Sequence, residues 1–156
     1  MRLTLHTDYA LRLLMLLAVE PDNRHTIEEV AQRFDISRNH LKKVTQTLSQ
    51  AGFLEGLRGR GGGLRLGRSP TSINLSEVVR ATEDSLAVVE CFDEKTNHCL
   101  ISPACGLRQP LEEALRAFLA VLNRYSLADL VKNPVSVRTM RALLLEPASD
   151  TRQVQR

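Results

Sequence analysis

The 156-residue chain has no tryptophan, and only 4% of its residues are aromatic. Proteins that hold single-stranded nucleic acid stack successive bases on aromatic platforms, and so sparse a supply argues against that mode. No apolar run reaches the roughly 18 residues that a membrane span requires. The start, Met1-Arg2-Leu3-Thr4-Leu5-His6-Thr7-Asp8, carries an acid and no small-residue cleavage site, so no secretory leader is expected. A cytoplasmic protein without membrane attachment is the expectation. Cysteine is scarce and odd in number: Cys91, Cys99 and Cys105, all within 15 residues. An odd count excludes a framework in which every thiol is paired. With 43% hydrophobic and 25% charged residues, the composition is that of one ordinary soluble domain, long enough to bury a core without disulfides.

The middle of the chain lacks acid. Residues 36–70 hold seven basic side chains (Arg38, Lys42, Lys43, Arg58, Arg60, Arg65, Arg68) against a single acid, Glu55. Residues 1–70 carry 11 Lys/Arg against 7 Asp/Glu, net +4, whereas residues 71–156 carry 10 against 11, net −1. A surplus so local points to a polyanionic partner.

What is present reads as mostly helix. Residues 8–19, DYALRLLMLLAV, are almost wholly apolar apart from Arg12 and predict a buried helix, with Thr7 or Asp8 capping it and Pro21-Asp22-Asn23 stopping it. Thr26-Ile27-Glu28-Glu29 has the form of a capping box, followed by an apolar stripe of Ile27, Val30, Ala31 and Phe34. Asp35-Ile36-Ser37 makes a tight turn, and Ser37 caps a helix over 38–51 that aligns Leu41, Val44 and Leu48 before Ala51-Gly52 closes it. Two short strands, 53–58 and 63–66, flank the glycine-rich tip Gly59-Arg60-Gly61-Gly62. A helix is expected over 76–83 and an irregular loop over 84–106. A helix over 110–125 carries a broad stripe of Leu111, Leu115, Phe118, Leu119, Leu122 and Tyr125. A short helix over 126–132 follows, and within 135–156 only Val137–Leu145 offers a helical pattern.

Helix, tight turn, second helix and basic hairpin make a winged helix-turn-helix: a mostly α fold with a small β-wing and a long dimerisation helix. The expected organisation is a DNA-binding unit at 1–83, a loop at 84–109, a dimerisation region at 110–132 and a C-terminal tail at 133–156. The major groove of duplex DNA admits one helix, whose N-terminal end meets the base edges. That places Ser37, Arg38, Asn39, Lys42 and Lys43 on the reading surface, with Arg58, Arg60, Gly61 and Gly62 of the wing against the backbone or minor groove. One such unit reads few base pairs, so a homodimer on a palindromic double-stranded operator is expected.

Three thiols on one polar loop suit soft-metal chemistry. Zinc with His98 as fourth ligand is one option, although its sites favour tighter cysteine pairs. An iron–sulfur cluster tolerates wider spacing, since its iron corners are spread over several ångströms, but one ligand is then missing. A thiol redox switch is the third option. No Cys, His and acid stand at a spacing that suggests catalysis, so no enzyme is expected.

The N-terminal LTLHTDYALRLLMLLA, the segment TIEEVAQRFDISRNHLKKVTQTLSQAGFLEGLRGRGGGLRLGR and the three-cysteine loop together resemble the NsrR/IscR family of bacterial winged-helix regulators. The resemblance covers roughly residues 1–132. It implies a transcriptional repressor that senses nitric oxide through a 4Fe–4S cluster, rather than a 2Fe–2S one, with DNA binding lost when nitric oxide attacks. It implies Cys91, Cys99 and Cys105 as ligands, with Asp8 of the partner subunit as the fourth. Members of the IscR kind place a His just after the third cysteine, where this chain has Gly106-Leu107-Arg108. Sensing of iron–sulfur status or oxidants, or a zinc-stabilised domain, are the alternatives.

Overall fold

The apolar N-terminal run forms helix α1 (Leu5–Val19) in a computed structural model that describes residues 2–57, 59 and 62–145. The helix begins earlier than its sequence suggests. Its cap is Thr4, whose Oγ accepts the Thr7 N–H at 3.3 Å, rather than Thr7 or Asp8. The reason is tertiary: the Thr4 N–H and hydroxyl donate to Glu83 Oε1 at 2.8 and 3.0 Å, which pins the extra turn. Thr7 is thereby buried inside the helix, where its hydroxyl accepts from Thr82 at 2.9 Å. Asp8 falls in the first turn, where the helix dipole favours a carboxylate.

α1 is the centre of the core. Ala10, Leu13, Leu14, Leu16, Leu17 and Val19 are buried against the elements that surround it. Helices α2 (Ile27–Phe34) and α3 (Arg38–Gln50) form the helix-turn-helix. Thr26 and Glu29 close the expected capping box, with Thr26 N–H to Glu29 Oε2 at 2.7 Å and Glu29 N–H to Thr26 Oγ at 3.2 Å. Asp35, in the left-handed conformation at φ 53°, turns the chain between the two helices. Strands β1 (Leu54–Leu57) and β2 (Gly63–Leu66) pair antiparallel, with Leu54 opposite Leu66 and Leu57 opposite Gly63. The wing is moored to the body, since the Leu64 N–H donates to the His25 carbonyl at 2.8 Å.

Helix α4 (Leu75–Thr82), capped by Asn74, packs on α1 and α3. Helix α5 spans Arg108–Leu122, two residues earlier than Pro110, because proline is tolerated within a first turn. It stops before Tyr125, contrary to the stripe. The Tyr125 carbonyl accepts the Leu75 N–H at 3.0 Å and the Leu127 N–H donates to Ile73 at 2.8 Å, so this stretch is drawn into an antiparallel bridge. Helix α6 (Leu127–Leu130) follows, where the backbone N–H of Ser126 leads in holding the Asp129 carboxyl down at about 2. The segment read as a tail begins with helix α7 (Pro134–Leu145). It folds back on α1, where Arg141 donates to the Val19 carbonyl at 2.5 Å. No helix among the described residues is long and apolar enough to cross a membrane.

One polar cluster is buried where α1, α2 and the wing meet. The Glu20 side chain is 1% exposed; its Oε2 lies 2.8 Å from His25 Nε2 and 3.2 Å from Arg33 Nη1, while Oε1 has no partner among the described residues. Burial pushes the His25 pKa below the ordinary 6.5, opposed by the Glu20 charge. Folding therefore favours neutral imidazole. The stability this contributes is complete above pH 6.5 and is lost as pH falls toward the lower folded-state pKa. Urea unfolding between about pH 5.5 and about pH 7.5 should show stability declining on the acid side, with the decline shallower in His25→Gln. A decline unchanged by that substitution would contradict the assignment.

Candidate DNA-reading surface and thiol loop

α3 buries Leu41, Val44, Thr45 and Leu48 and turns Ser37, Arg38, Asn39, Lys42 and Lys43 to solvent. The Ser37 Oγ accepts the His40 N–H at 3.2 Å and so caps the helix. Among the described residues Lys42 and Lys43 form no ion pair. Arg38 pairs with Glu28 of α2 at 2.5 Å. Both line a cleft of about 680 Å3 between the helix-turn-helix and the wing, with Gly56, Leu57, Gly62 and Leu64 on its far wall.

In the wing, Arg58, Arg60 and Gly61 lie outside the described residues. Gly62 closes the turn by donating to the Gly59 carbonyl at 2.9 Å. A Cβ there would collide with the Leu57 and Gly59 carbonyls, so this position admits only glycine. Two basic residues counted in the local surplus are structural. Arg65 pairs with Glu55 across the strands at 2.6 Å. Arg68 stacks 4.4 Å above the Phe53 ring and donates to the Ala51 and Gly52 carbonyls at 2.8 and 3.2 Å.

The three cysteines are free and half-buried. Cys91 sits in a 3-10 turn, Glu90–Phe92; Cys105 ends another, Ser102–Ala104; the Cys99 N–H donates to Asn97 Oδ1 at 3.0 Å. Cys99 and Cys105 line one open cleft of about 550 Å3 with Arg108, Gln109 and Glu112. The Arg108 Nε donates to Glu112 Oε1 at 2.8 Å, which raises the guanidinium pKa. Cys99 and Cys105 thus neighbour the head of α5. His98 is 87% exposed and turns to Glu90.

Among the described residues, no three His, Cys, Asp or Glu side chains converge as a single metal ion requires. A cluster places its iron corners further apart; three free thiols in one loop fit it in donor chemistry, and two of them, Cys99 and Cys105, share a cleft. The structure does not bring Asp8 to them. Its carboxylate is held by Arg12, Oδ2 to Nη2 at 2.6 Å and Oδ1 to Nε at 3.1 Å, and is 40% exposed.

The turn that carries Asp8 touches α3. His6 Nε2 lies 3.1 Å from Thr47 Oγ, the His6 and His40 rings stack at 6.0 Å, and Tyr9 meets His40 edge-on at 4.9 Å. Burial, then the His40 charge, lowers the His6 pKa. Sequence reasoning missed this contact, although His6 and Tyr9, three apart, share a helix face. On α5 only Leu119 is buried; Leu111, Leu115, Phe118 and Leu122 are half-covered, and Leu115 and Phe118 line an apolar groove with Leu3, Leu86 and Val88.

Residues 3–133 match the Rrf2 model, described as an iron-dependent transcriptional regulator. The chain belongs to the Rrf2 family. This Rrf2 chain is 55% identical over 134 residues to the HTH-type transcriptional regulator NsrR of Bacillus subtilis, covering 85% of this chain and 92% of that protein. It is 46% identical over 141 residues to the NsrR of Bacillus licheniformis, covering 90% and 99%. Among solved structures, CymR, the global cysteine regulator of B. subtilis, superposes with TM-score 0.67 at 25% identity over 85% of this chain and 97% of that one. IscR of T. potens, at 22% identity, gives TM-score 0.68 over 85% and 87% and shares the fold. The Rrf2 protein is therefore a winged-helix, DNA-binding transcriptional regulator, and its relatives are regulators rather than enzymes.

Within this Rrf2 fold the basic residues divide by partner. Arg68→Ala, which loses two hydrogen bonds and a ring contact, should cost about 1–2 kcal/mol in urea unfolding. An unchanged unfolding midpoint would show that Arg68 does not brace the wing.

Proposed function

We propose that this regulator is a homodimeric repressor that binds a palindromic double-stranded operator and responds to nitric oxide through a 4Fe–4S cluster. Residues 1–83 form the DNA-binding unit, 84–109 the cluster loop and 110–132 the dimerisation region. Ser37, Arg38, Asn39, Lys42 and Lys43 face the major groove, and Arg58, Arg60, Gly61 and Gly62 of the wing face the backbone. Cys91, Cys99 and Cys105 hold the cluster, and Asp8 of the partner subunit completes the set. When bound, the cluster supplies iron that nitric oxide can attack.

The observation that carries this reading is three free cysteines in one loop, with Cys99 and Cys105 sharing a cleft at the head of α5, in a chain whose candidate fourth ligand lies on a helix turn touching α3. The half-covered stripe of α5 supports a dimer, since water-facing leucines gain by meeting a second copy. An Asp8 held by the partner's loop would fix the first turn of α1. His6 against Thr47 and Tyr9 against His40 would then hold α3 in place. Releasing Asp8 to Arg12 alone would remove that constraint, which supplies the difference between two states that a switch requires.

Alanine at Cys91, Cys99 or Cys105 should abolish bound iron and operator affinity in anaerobically purified protein. The variants should still elute as dimers, because α5 holds the seam independently. Asp8→Ala should leave iron bound but labile, whereas Asp8→Cys should hold it more firmly. Full iron retention after replacing any one cysteine would remove it from the ligand set. Unchanged lability in both Asp8 variants would make Asp8 only a favourable first-turn charge.

A further inference from the structure

The cleft between α2 and the wing contains an ion pair that folding does not need. Arg38 Nη2 and Glu28 Oε1 stand 2.5 Å apart with side chains 60% and 50% exposed. A pair that open contributes little to stability. Its position is the informative part. Arg38 is the first residue of α3, at the end that meets base edges, and Glu28 is the one acid among the described residues of the cleft wall. A carboxylate on a phosphate-facing surface opposes binding in general. The backbone beneath it is fixed, since the capping box of Thr26 and Glu29 locks the first turn of α2.

We propose that Glu28 is a specificity-determining positioning residue that restrains Arg38 from the phosphates and presents its guanidinium edge to a guanine in the major groove. This inference rests on the assignment of the α3 N-terminus as the base-reading end. Arginine carries five donors in a planar fork. With one Nη2 donor engaged by Glu28, the outward edge remains for the O6 and N7 acceptors of guanine. An unrestrained arginine takes the nearest phosphate, a contact that carries no sequence information. On the wrong sequence, Glu28 leaves Arg38 without a base partner and adds repulsion, so the pair discriminates by penalty as well as by contact.

The test uses the full chain purified anaerobically and two probes. One is the tightest-binding duplex selected from a randomised library with the unaltered protein; the other is poly(dA-dT), whose major groove lacks the paired O6 and N7 acceptors of guanine. Glu28→Gln keeps the shape and removes the charge. It should tighten binding to poly(dA-dT), steepen the salt slope there by about 0.9 as Arg38 gains a phosphate, and lower discrimination between the probes roughly tenfold. Arg38→Ala should lower discrimination similarly, and adding Glu28→Gln to it should change discrimination no further. Both residues are exposed, so unchanged melting curves are expected and separate recognition from folding. An equal gain on both probes would reflect charge removal alone and overturn the proposal. So would unchanged discrimination in Glu28→Gln beside a loss in Arg38→Ala. If Arg38→Ala itself left discrimination intact, the assignment of the reading end would fall too.

Discussion

The burial of α1 is the constraint on which the rest depends. A helix whose leucines face several directions has to be surrounded, and α3, α4, α6, α7 and β2 all pack against it. Its polar first turn is what remains near the surface. Thr4 is tied to Glu83, Thr7 to Thr82, and His6 to Thr47. Asp8 therefore projects from a turn whose position is already shared by α3 and the end of α4. Any partner that held Asp8 would act on a turn in direct contact with α3.

Charge is arranged with the same economy. Part of the basic surplus in residues 36–70 is taken up within the wing, Arg65 by Glu55 and Arg68 by the Phe53 ring and two carbonyls. Among the described residues, Lys42 and Lys43 remain without ion pairs. Around the cysteines, Glu90, Asp93 and Glu94 make the loop acidic, and Arg108 lines the cleft shared by Cys99 and Cys105.

Where structure is set by neighbours in sequence, it was legible. The Thr26/Glu29 box, the Ser37 cap, the Leu41, Val44 and Leu48 face and the glycine hairpin all follow from spacing within one or two turns. What depended on distant partners was not. The start of α1 is set by Glu83, the end of α5 by Ile73 and Leu75, and the docking of α7 by the Val19 carbonyl. The buried Glu20, His25 and Arg33 look like ordinary surface charges until the wing closes over them. At the candidate site, cysteine spacing suggested soft-metal chemistry but gave no sign that Arg108 would share a cleft with Cys99 and Cys105. Nor did the positions of Glu28 and Arg38, ten residues apart, reveal that they meet.

The central claim is that the thiol loop governs how tightly α3 and the wing hold DNA. The most direct measurement is affinity for the selected duplex, made anaerobically on brown, iron-loaded protein before and after graded addition of nitric oxide, with absorption followed in the same samples. The account predicts tight binding at the start and a loss that tracks the change in absorption. Undiminished affinity in protein whose absorption has fully changed would contradict it.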